Sequence, residues 1–231
     1  MAPKVLVVLT SYGAIENADN KPTGWFLPEF AHPYEVLAGK GVEIVTASPK
    51  GGAAPLDPNS VAGYTDASSA AFLESQAALW ERTAPIKSFL GRAGEFAALF
   101  YPGGHGPMFD LVGDDDSIAL IAEFVAAGKP VAALCHGPVV FTDVILPGGH
   151  HMLTGREVTG LSNAEEQTIG MDKHVPFLLE DRLKAAGALY VKAPEPFEPF
   201  VAVDDHGRLI TGQNPASSKA VGEALARAIG L

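Results

Sequence analysis

Three observations predict that this chain of 231 residues forms an α/β domain built on a mostly parallel sheet. Residues 4–10 are a continuous apolar run rich in β-branched side chains, which is typical of a strand buried on both faces. A helical pattern over 28–38 and an apolar run over 42–47 follow, and strand, helix and strand in this order form a right-handed crossover unit. Two later apolar runs, 95–101 and 131–134, each end in a loop that contains glycine.

The first helix is predicted from apolar side chains at helical spacing, namely Phe30, Tyr34, Leu37 and Ala38. Residues 49–66 are rich in Pro, Gly, Asp and Ser, so they indicate a long excursion over the surface and not a linker between domains. Residues 67–89 carry two or three short amphipathic pieces. We therefore expect one domain over 1–231 with a surface insertion at about 49–90.

The next helix is predicted over 117–127. Three aspartates at 114–116 suit the positive end of its dipole, and Gly128 ends it. The strand 131–134 follows directly, and it leads into Cys135.

The C-terminal third repeats the alternation less regularly. The predicted elements are a strand at 157–161, helices at 164–169 and 177–186, a strand at 188–191, a strand pair at 200–203 and 208–211, and a closing helix at 216–229. Asn214 and Pro215 are expected to begin the closing helix, with Asn214 as its cap.

Composition narrows the function classes. The chain is 47% hydrophobic and 19% charged, as in an ordinary globular protein, and its formal net charge is −11. This charge repels phosphate backbones and anionic membrane surfaces, so we expect neither nucleic acid nor a membrane as a partner. With one cysteine, an internal disulfide is impossible, which favours a reducing compartment. A cytoplasmic location is the default expectation.

Cys135 is the first candidate for chemistry. An apolar run stops abruptly at Cys135, His136 and Gly137, and helix-compatible residues follow. A residue at a sharp turn between strand and helix projects over the carboxyl edge of the sheet. The helix behind it offers free N–H groups and a partial positive charge, which lower a thiol pKa. The pattern therefore predicts a nucleophile that is held as a thiolate.

A thiol nucleophile needs a base, a group that orients the base, and donors for the oxyanion formed on an attacked carbonyl. His136 is the candidate base, and Glu165 or Glu166 could supply the orienting carboxylate. Backbone N–H groups of Gly104 and His136 are candidate oxyanion donors.

Other residues could reach the same sheet edge. Glu29 lies in the first turn of its predicted helix, where it could serve either the helix dipole or a proton transfer at Cys135. We include Gly103, Gly104 and His105 on the substrate and oxyanion side of the site, because their loop follows another strand end. For His105 the alternative is an ordinary loop residue.

Two other patterns do not predict sites. His150 and His151 are adjacent without a spaced set of further ligands, so they indicate a solvated loop and not a metal site. The loop 103–106 lacks the spacing of a dinucleotide-binding or Walker loop.

Several segments together resemble the ThiJ/PfpI superfamily. They are 101–106 (YPGGHG), 133–138 (ALCHGP) and 211–217 (TGQNPAS). The segments 9–12 (LTSY) and 23–33 (TGWFLPEFAHP) are similar to its heat-shock-type branch of glutathione-independent glyoxalases, also called glyoxalase III or D-lactate dehydratase.

The resemblance implies a flavodoxin-like three-layer sandwich of the class I glutamine amidotransferase type, with helices on both faces of the sheet, and a homodimer. It implies a triad of Cys135, His136 and Glu166 with Glu29 beside the thiol, while Glu165 remains a one-residue alternative. It implies conversion of methylglyoxal and related 2-oxoaldehydes to D-lactate or other 2-hydroxy acids. We expect no metal and no cofactor.

Three other functions stay open. A stress-related holdase chaperone would bind unfolded clients through an exposed apolar patch, for which Trp25, Phe26 and Leu27 are candidates. A protein deglycase would act on glycated adducts, and a cysteine peptidase or amidase would use the same triad for acyl transfer. Oxidation of Cys135 could accompany any of them.

Overall fold

A computed structural model describes residues 2–231. The strands are β1 (Lys4–Val8), β2 (Ala14–Ile15), β3 (Lys21–Pro22), β4 (Glu43–Ser48), β5 (Ala84–Pro85), β6 (Ala98–Tyr101), β7 (Val131–Leu134), β8 (Glu157–Val158), β9 (Leu189–Tyr190), β10 (Val201–Asp204) and β11 (Leu209–Gly212). The α-helices are α1 (Leu27–Gly39), α2 (Pro58–Gly63), α3 (Ala67–Ser75), α4 (Ala78–Glu81), α5 (Pro107–Asp110), α6 (Asp115–Ala126), α7 (Asn163–Thr168), α8 (Leu179–Ala185) and α9 (Ser218–Ala228). Short 3₁₀ turns cover Glu16–Ala18, Ile86–Phe89, Ala93–Glu95, Gly137–Phe141, Asp205–Gly207 and Pro215–Ser217.

The central sheet has seven strands in the order β10-β11-β7-β6-β1-β4-β5. Every neighbouring pair is parallel except β10 with β11. The strands β1, β6 and β7 lie side by side at the centre, so the loops that leave their carboxyl ends meet at one edge. The predicted α/β architecture with a mostly parallel sheet is confirmed.

Two hydrophobic cores cover the two faces of the sheet. On one face α1 and α9 pack closely, because Gly222 leaves room for Pro33: a Cβ at this glycine would lie 2.8 Å from the Pro33 Cα. On the other face α6 buries Leu120, Ile121 and Phe124. Successive side chains of a strand point to opposite faces of the sheet. Because the central strands are buried on both faces, they contribute side chains to both cores.

The segment expected as a surface insertion, about 49–90, contributes to both cores, with Phe72 on the α1 and α9 face and Ile86 and Phe89 on the α6 face. The backbone N–H of Trp25 donates to Pro55 O at 2.9 Å. The indole ring of Trp25 lies against Phe72 from α3 and Trp80 from α4. The segment also supplies β5 at the edge of the sheet. Its polar composition reflects its outer surface, while its few aromatic side chains pack inward.

The predicted exposed apolar patch at Trp25, Phe26 and Leu27 is wrong. Trp25 and Leu27 are fully buried, and only Phe26 keeps partial exposure. Residues of the segment 49–90 cover these side chains. This contact is distant in sequence, so the local pattern did not predict it.

The end of the strand predicted at 157–161 is wrong. Only Glu157–Val158 form a strand, β8, which pairs with β9 in a separate two-stranded sheet. It ends there because the Thr159 N–H donates to Thr211 Oγ1 and the Leu161 N–H donates to Cys135 O, which turns the chain towards the site.

The cap predicted for the closing helix is also wrong. Asn214 makes no capping bond, and α9 begins at Ser218 after a 3₁₀ turn. Its side-chain amide donates instead to Glu165 Oε1 and to Glu198 O, both at 2.8 Å. A buried carboxylate requires donors, and this requirement outweighs the local capping preference.

Within residues 2–231, no helix combines the length and the apolar character needed to cross a bilayer.

Candidate active site

Cys135 stands at a strained corner directly after β7. Its φ is 60°, in the left-handed region that side chains with a Cβ seldom adopt. The Cys135 N–H donates to Gly212 O at 2.9 Å, and Cys135 O accepts the Leu161 N–H at 3.0 Å. Gly137 allows the turn to close, since a Cβ there would lie 2.5 Å from Tyr101 O. The fold therefore fixes the corner at the carboxyl end of β7.

His136 links the thiol to a carboxylate. Its Nδ1 lies 3.5 Å from Cys135 Sγ, and its Nε2 lies 2.6 Å from Glu166 Oε2. An ionised carboxylate only accepts hydrogen bonds, so Nε2 carries the proton that it donates to Glu166. In the neutral imidazole Nδ1 then has a free lone pair towards the sulfur. This arrangement suits a base for the thiol.

A second imidazole binds the same carboxylate. His105 Nε2 lies 2.8 Å from Glu166 Oε1, and the rings of His105 and His136 have their centroids 4.2 Å apart. Burial would raise the Glu166 pKa, but attraction to His136 and hydrogen bonds from both imidazoles hold this pKa well below its usual range. Glu166 is therefore ionised and orients both rings.

Glu165, the alternative triad acid, faces another way. Its side chain closes a capping box with Ser162, which fixes the start of α7. It also accepts hydrogen bonds from Gln213, Asn214 and the Phe197 N–H. Burial opposes its ionisation, but these donors and those of Ser162 outweigh that effect and lower the Glu165 pKa. Of the two neighbours, Glu166 contacts His136 and Glu165 organises the surrounding chain.

Glu29 reaches the thiol from α1, in whose first turn it lies. It is fully buried, and its Oε2 accepts the Gly103 N–H at 2.7 Å. Within residues 2–231 its Oε1 has no hydrogen-bond partner of good geometry, and the carboxyl group as a whole lies beside the Cys135 thiol. Burial, with a smaller contribution from the charge of Asp57, raises the Glu29 pKa to about 8, although bonds with Cys135 and Gly103 oppose the shift. The carboxyl group is therefore protonated at neutral pH.

The expectation of a resting thiolate is wrong. Burial raises the pKa of the Cys135 thiol well above its usual range, and the nearby acidic side chains of Glu29 and Glu166 raise it further. The Gly104 N–H opposes this shift. The predicted helix behind the thiol is a 3₁₀ turn of five residues, too short for a strong dipole. The thiol must therefore be deprotonated by a neighbouring base when a substrate arrives.

The glycine loop after β6 serves two different groups. Gly103 was expected on the oxyanion side, but its N–H is occupied by Glu29. A Cβ at Gly103 would lie 2.7 Å from Glu29 Oε2 and 2.5 Å from Leu134 O, so glycine is needed for this approach. The Gly104 N–H points to Cys135 Sγ, where it is available to a group bound at the sulfur.

A donor set suited to a metal ion lies beside the thiol, although the sequence led us to expect no metal. One ligand atom each from His105, His136 and Glu166 lies within 4.8 Å of the others. Both imidazoles donate to the carboxylate in this arrangement, and the three side chains satisfy one another through hydrogen bonds.

These groups open into a cavity of about 280 Å³. Its lining includes Cys135, His136, Glu29, Gly104 and His105, together with residues that the sequence analysis did not place in the active site. The latter are Ile15, Lys21, Pro22, Thr23, Phe26, Asp57, Asn59, Tyr64, Leu161, Ile169, Met171, Phe197 and Pro215. Of these, Asp57 had a sequence signal, because Asp followed by Pro58 is typical of a helix start. Most of the others approach through contacts distant in sequence.

Comparison with known proteins agrees with the family resemblance of the sequence segments. A model of the DJ-1/PfpI family matches residues 27–228. The chain is similar to glutathione-independent glyoxalase HSP31 of Saccharomyces cerevisiae, with 31% identity over 227 residues that cover 94% of each chain.

Two solved structures share the fold over almost the whole length. The Rapid Encystment Protein of 24 kDa from Francisella tularensis has a TM-score of 0.92 and 32% identity, covering 99% of this chain and 100% of that one. The glyoxalase III crystal structure from Candida albicans has a TM-score of 0.88 and 28% identity, covering 98% of this chain and 97% of that one.

Proposed function

The chain belongs to the DJ-1/PfpI family, and from that premise and the geometry around Cys135 we propose that it is a glutathione-independent glyoxalase. It converts methylglyoxal and related 2-oxoaldehydes to 2-hydroxy acids, D-lactate in the case of methylglyoxal. The named activities of its relatives in Saccharomyces cerevisiae and Candida albicans support this assignment.

One observation carries the proposal. A buried carboxyl group that holds its proton up to about pH 8, Glu29, faces the same sulfur as the free nitrogen of His136. Isomerisation of a 2-oxoaldehyde requires both a nucleophile and an acid that can return a proton to an adjacent carbon. A proton carrier and a base on either side of one thiol meet this requirement.

The first step is addition to the aldehyde. His136 Nδ1 removes the thiol proton, the sulfur bonds to C1 of the substrate, and the aldehyde oxygen takes the proton of Glu29. The product is a hemithioacetal, with an imidazolium next to ionised Glu166 and a carboxylate at Glu29. The Gly104 N–H donates to this oxygen as charge develops, and its approach to the Cys135 sulfur supports this role.

The second step moves hydrogen from C1 to C2. The Glu29 carboxylate removes the C1 proton, and the imidazolium protonates the C2 oxygen, which gives an enediol bound to sulfur. Glu29 then delivers its proton to C2 and receives the proton of the C1 hydroxyl. The adduct is now a thioester of the 2-hydroxy acid, and Glu29 and His136 have returned to their starting states.

The third step releases the acid. His136 takes a proton from water, the hydroxide attacks the thioester carbonyl, and the sulfur leaves and recovers its proton from the imidazolium. The net reaction adds one water to the 2-oxoaldehyde and needs no external reductant or oxidant. Glutathione has no role, because Cys135 supplies the sulfur.

The test is formation of lactate from methylglyoxal, with each enantiomer measured by a stereospecific lactate dehydrogenase. Cys135→Ala should lower the rate by about 10⁴-fold or more, as loss of a nucleophile does in other enzymes. Thermal unfolding of the same variant checks that the fold is intact. Undiminished turnover by Cys135→Ala would refute the proposal.

The broader expectations stay predictions. Sedimentation equilibrium would test the predicted homodimer, and imaging of the tagged chain would test the predicted cytoplasmic location. Trp25 and Leu27 are buried, so the apolar patch that holdase activity was expected to use is not exposed.

A further inference from the structure

We infer that the site favours 2-oxoaldehydes with a bulky apolar substituent over methylglyoxal, and that Phe197 determines this preference. The inference rests on the proposed glyoxalase activity and adds the class of substrate. It depends on the size of the cavity, on the apolar residues of its lining, and on the way in which Phe197 is held.

The cavity is larger than methylglyoxal needs. Methylglyoxal has five non-hydrogen atoms, whereas a cavity of about 280 Å³ approaches the lower end, near ~300 Å³, of sites that bind drug-sized molecules. After the two carbonyl groups occupy the end that contains Cys135, most of the volume stays unused. A substrate with a larger substituent would fill it.

Much of the cavity lining is apolar. We use the term apolar wall for five of these residues, Leu161, Ile169, Met171, Phe197 and Pro215. They come from the part of the chain that also carries Glu165 and Glu166. The polar lining residues include Lys21, Thr23, Asp57, Asn59 and Tyr64. A substituent that leaves the reacting carbons along the apolar wall would exclude water from it.

Two large residues of the apolar wall keep apolar surface in contact with solvent. Phe197 and Ile169 are 42% and 44% exposed although both line the cavity. Each gains from contact with an apolar ligand, because apolar surface removed from water stabilises a complex.

Phe197 is held in place by its backbone. Its φ is 65°, a left-handed conformation that phenylalanine rarely adopts, and its N–H donates to Glu165 Oε1 at 2.8 Å. Pro196 and Pro199 frame it within a stiff loop. Glu165 itself is fixed by Ser162, Gln213 and Asn214. Strained backbone that the surroundings maintain is a common feature of ligand sites.

The experiment compares kcat/KM for glyoxal, methylglyoxal and phenylglyoxal, whose substituents grow from hydrogen to methyl to phenyl. For the wild-type chain we expect kcat/KM to rise along the series, with phenylglyoxal at least about tenfold above methylglyoxal. Phe197→Ala should remove about tenfold from phenylglyoxal and change glyoxal by less than about twofold. Phe197→Leu, which keeps apolar bulk, should fall between them.

Leu189→Ala is the matched control. Leu189 is a large exposed side chain, at 55%, and lies outside the cavity lining, so its loss should leave the series unchanged. A flat or falling series in the wild type, or an equal loss on all three substrates in Phe197→Ala, would overturn the inference while leaving glyoxalase activity intact. Inactivity of the wild-type chain on every 2-oxoaldehyde would instead refute the proposed function.

Discussion

Two carboxyl groups lie near Cys135, and the regions that hold them act in opposite ways. Glu29 sits at the start of α1 with a single firm donor, the Gly103 N–H, and its pKa is raised to about 8. Glu166 sits in α7 with an imidazole on each oxygen, and its pKa is held well below the usual range. Both side chains are almost completely buried. Burial alone therefore does not decide the charge, and the number and charge of the donors do.

This difference assigns the two roles. A carboxyl that keeps its proton at neutral pH can give it to a developing oxyanion and carry it between carbons. A carboxylate that stays ionised can hold an imidazole in one tautomer and stabilise it when it becomes charged. The same residue type thus provides an acid on one side of the sulfur and an anchor on the other.

The largest expected effect comes from replacing each carboxyl group in turn by an amide. Glu29→Gln keeps the bond with Gly103 but cannot carry a proton, so kcat for methylglyoxal should fall by ~10²–10⁴. Glu166→Gln still accepts from His136 through its amide oxygen, so its loss should lie near the lower end of that range. Steady-state lactate formation measures both variants.

The pH profile sharpens this result. Since Glu29 loses its proton near pH 8, wild-type kcat/KM should decline above about that pH. Glu29→Gln has no such proton, so its residual activity should lack the decline. If Glu166→Gln proved more damaging than Glu29→Gln, or if the two profiles had the same alkaline limb, the assignment of the acid to Glu29 would be wrong.

The sequence predicted the frame of this site for local reasons. The corner at Cys135 follows from an apolar strand that stops at a Cys-His-Gly turn, and the Gly103–His105 loop ends the adjacent strand in the same way. Parallel strands bring such ends to one edge, so the meeting of Cys135, His136 and this loop was accessible from pattern alone. Glu29 and the choice of Glu166 needed the family resemblance.

The errors have a common physical origin in contacts that are distant in sequence. A resting thiolate was expected from a local helix dipole, but the desolvation of Cys135 depends on everything that surrounds it. Asn214 was assigned as a cap from its neighbour Pro215, but it donates to Glu165, which is 49 positions away. Trp25 and Leu27 were placed at the surface because the side chains that cover them come from another segment.

A further prediction concerns stability. The Glu29 pKa is about 8 in the folded chain and near its ordinary value of 4.5 in the unfolded chain. Between these values the folded state retains a proton that the unfolded state has released, so the free energy of unfolding falls as the pH rises. Glu29→Gln removes this dependence. In urea unfolding, the stability of the variant relative to wild type should increase by a few kcal/mol as the pH rises from about 5 to about 8.

Glu166→Gln supplies the opposite control. The Glu166 pKa is lowered on folding, so its contribution is present above about pH 4.5 and is lost as the pH falls further. Its substitution should therefore flatten the acid side of the stability curve and leave the slope between pH 5 and pH 8 unchanged. A steeper fall of Glu29→Gln than of wild type towards pH 8 would contradict the raised pKa of Glu29.

The smallest expected effect separates Glu165 from its neighbour Glu166. Glu165 accepts five hydrogen bonds, from Ser162 N–H, Ser162 Oγ, Gln213, Asn214 and the Phe197 N–H. An amide has one oxygen in place of two, so Glu165→Gln leaves buried donors unpaired and should lower the free energy of unfolding by about 1–3 kcal/mol. Turnover of glyoxal should stay within about twofold of wild type, because His136 keeps Glu166. Urea unfolding and a glyoxal assay on the same preparation decide the point. If Glu165→Gln abolished turnover while unfolding at the wild-type urea concentration, Glu165 would belong to the chemistry at Cys135 and not to the framework that supports it.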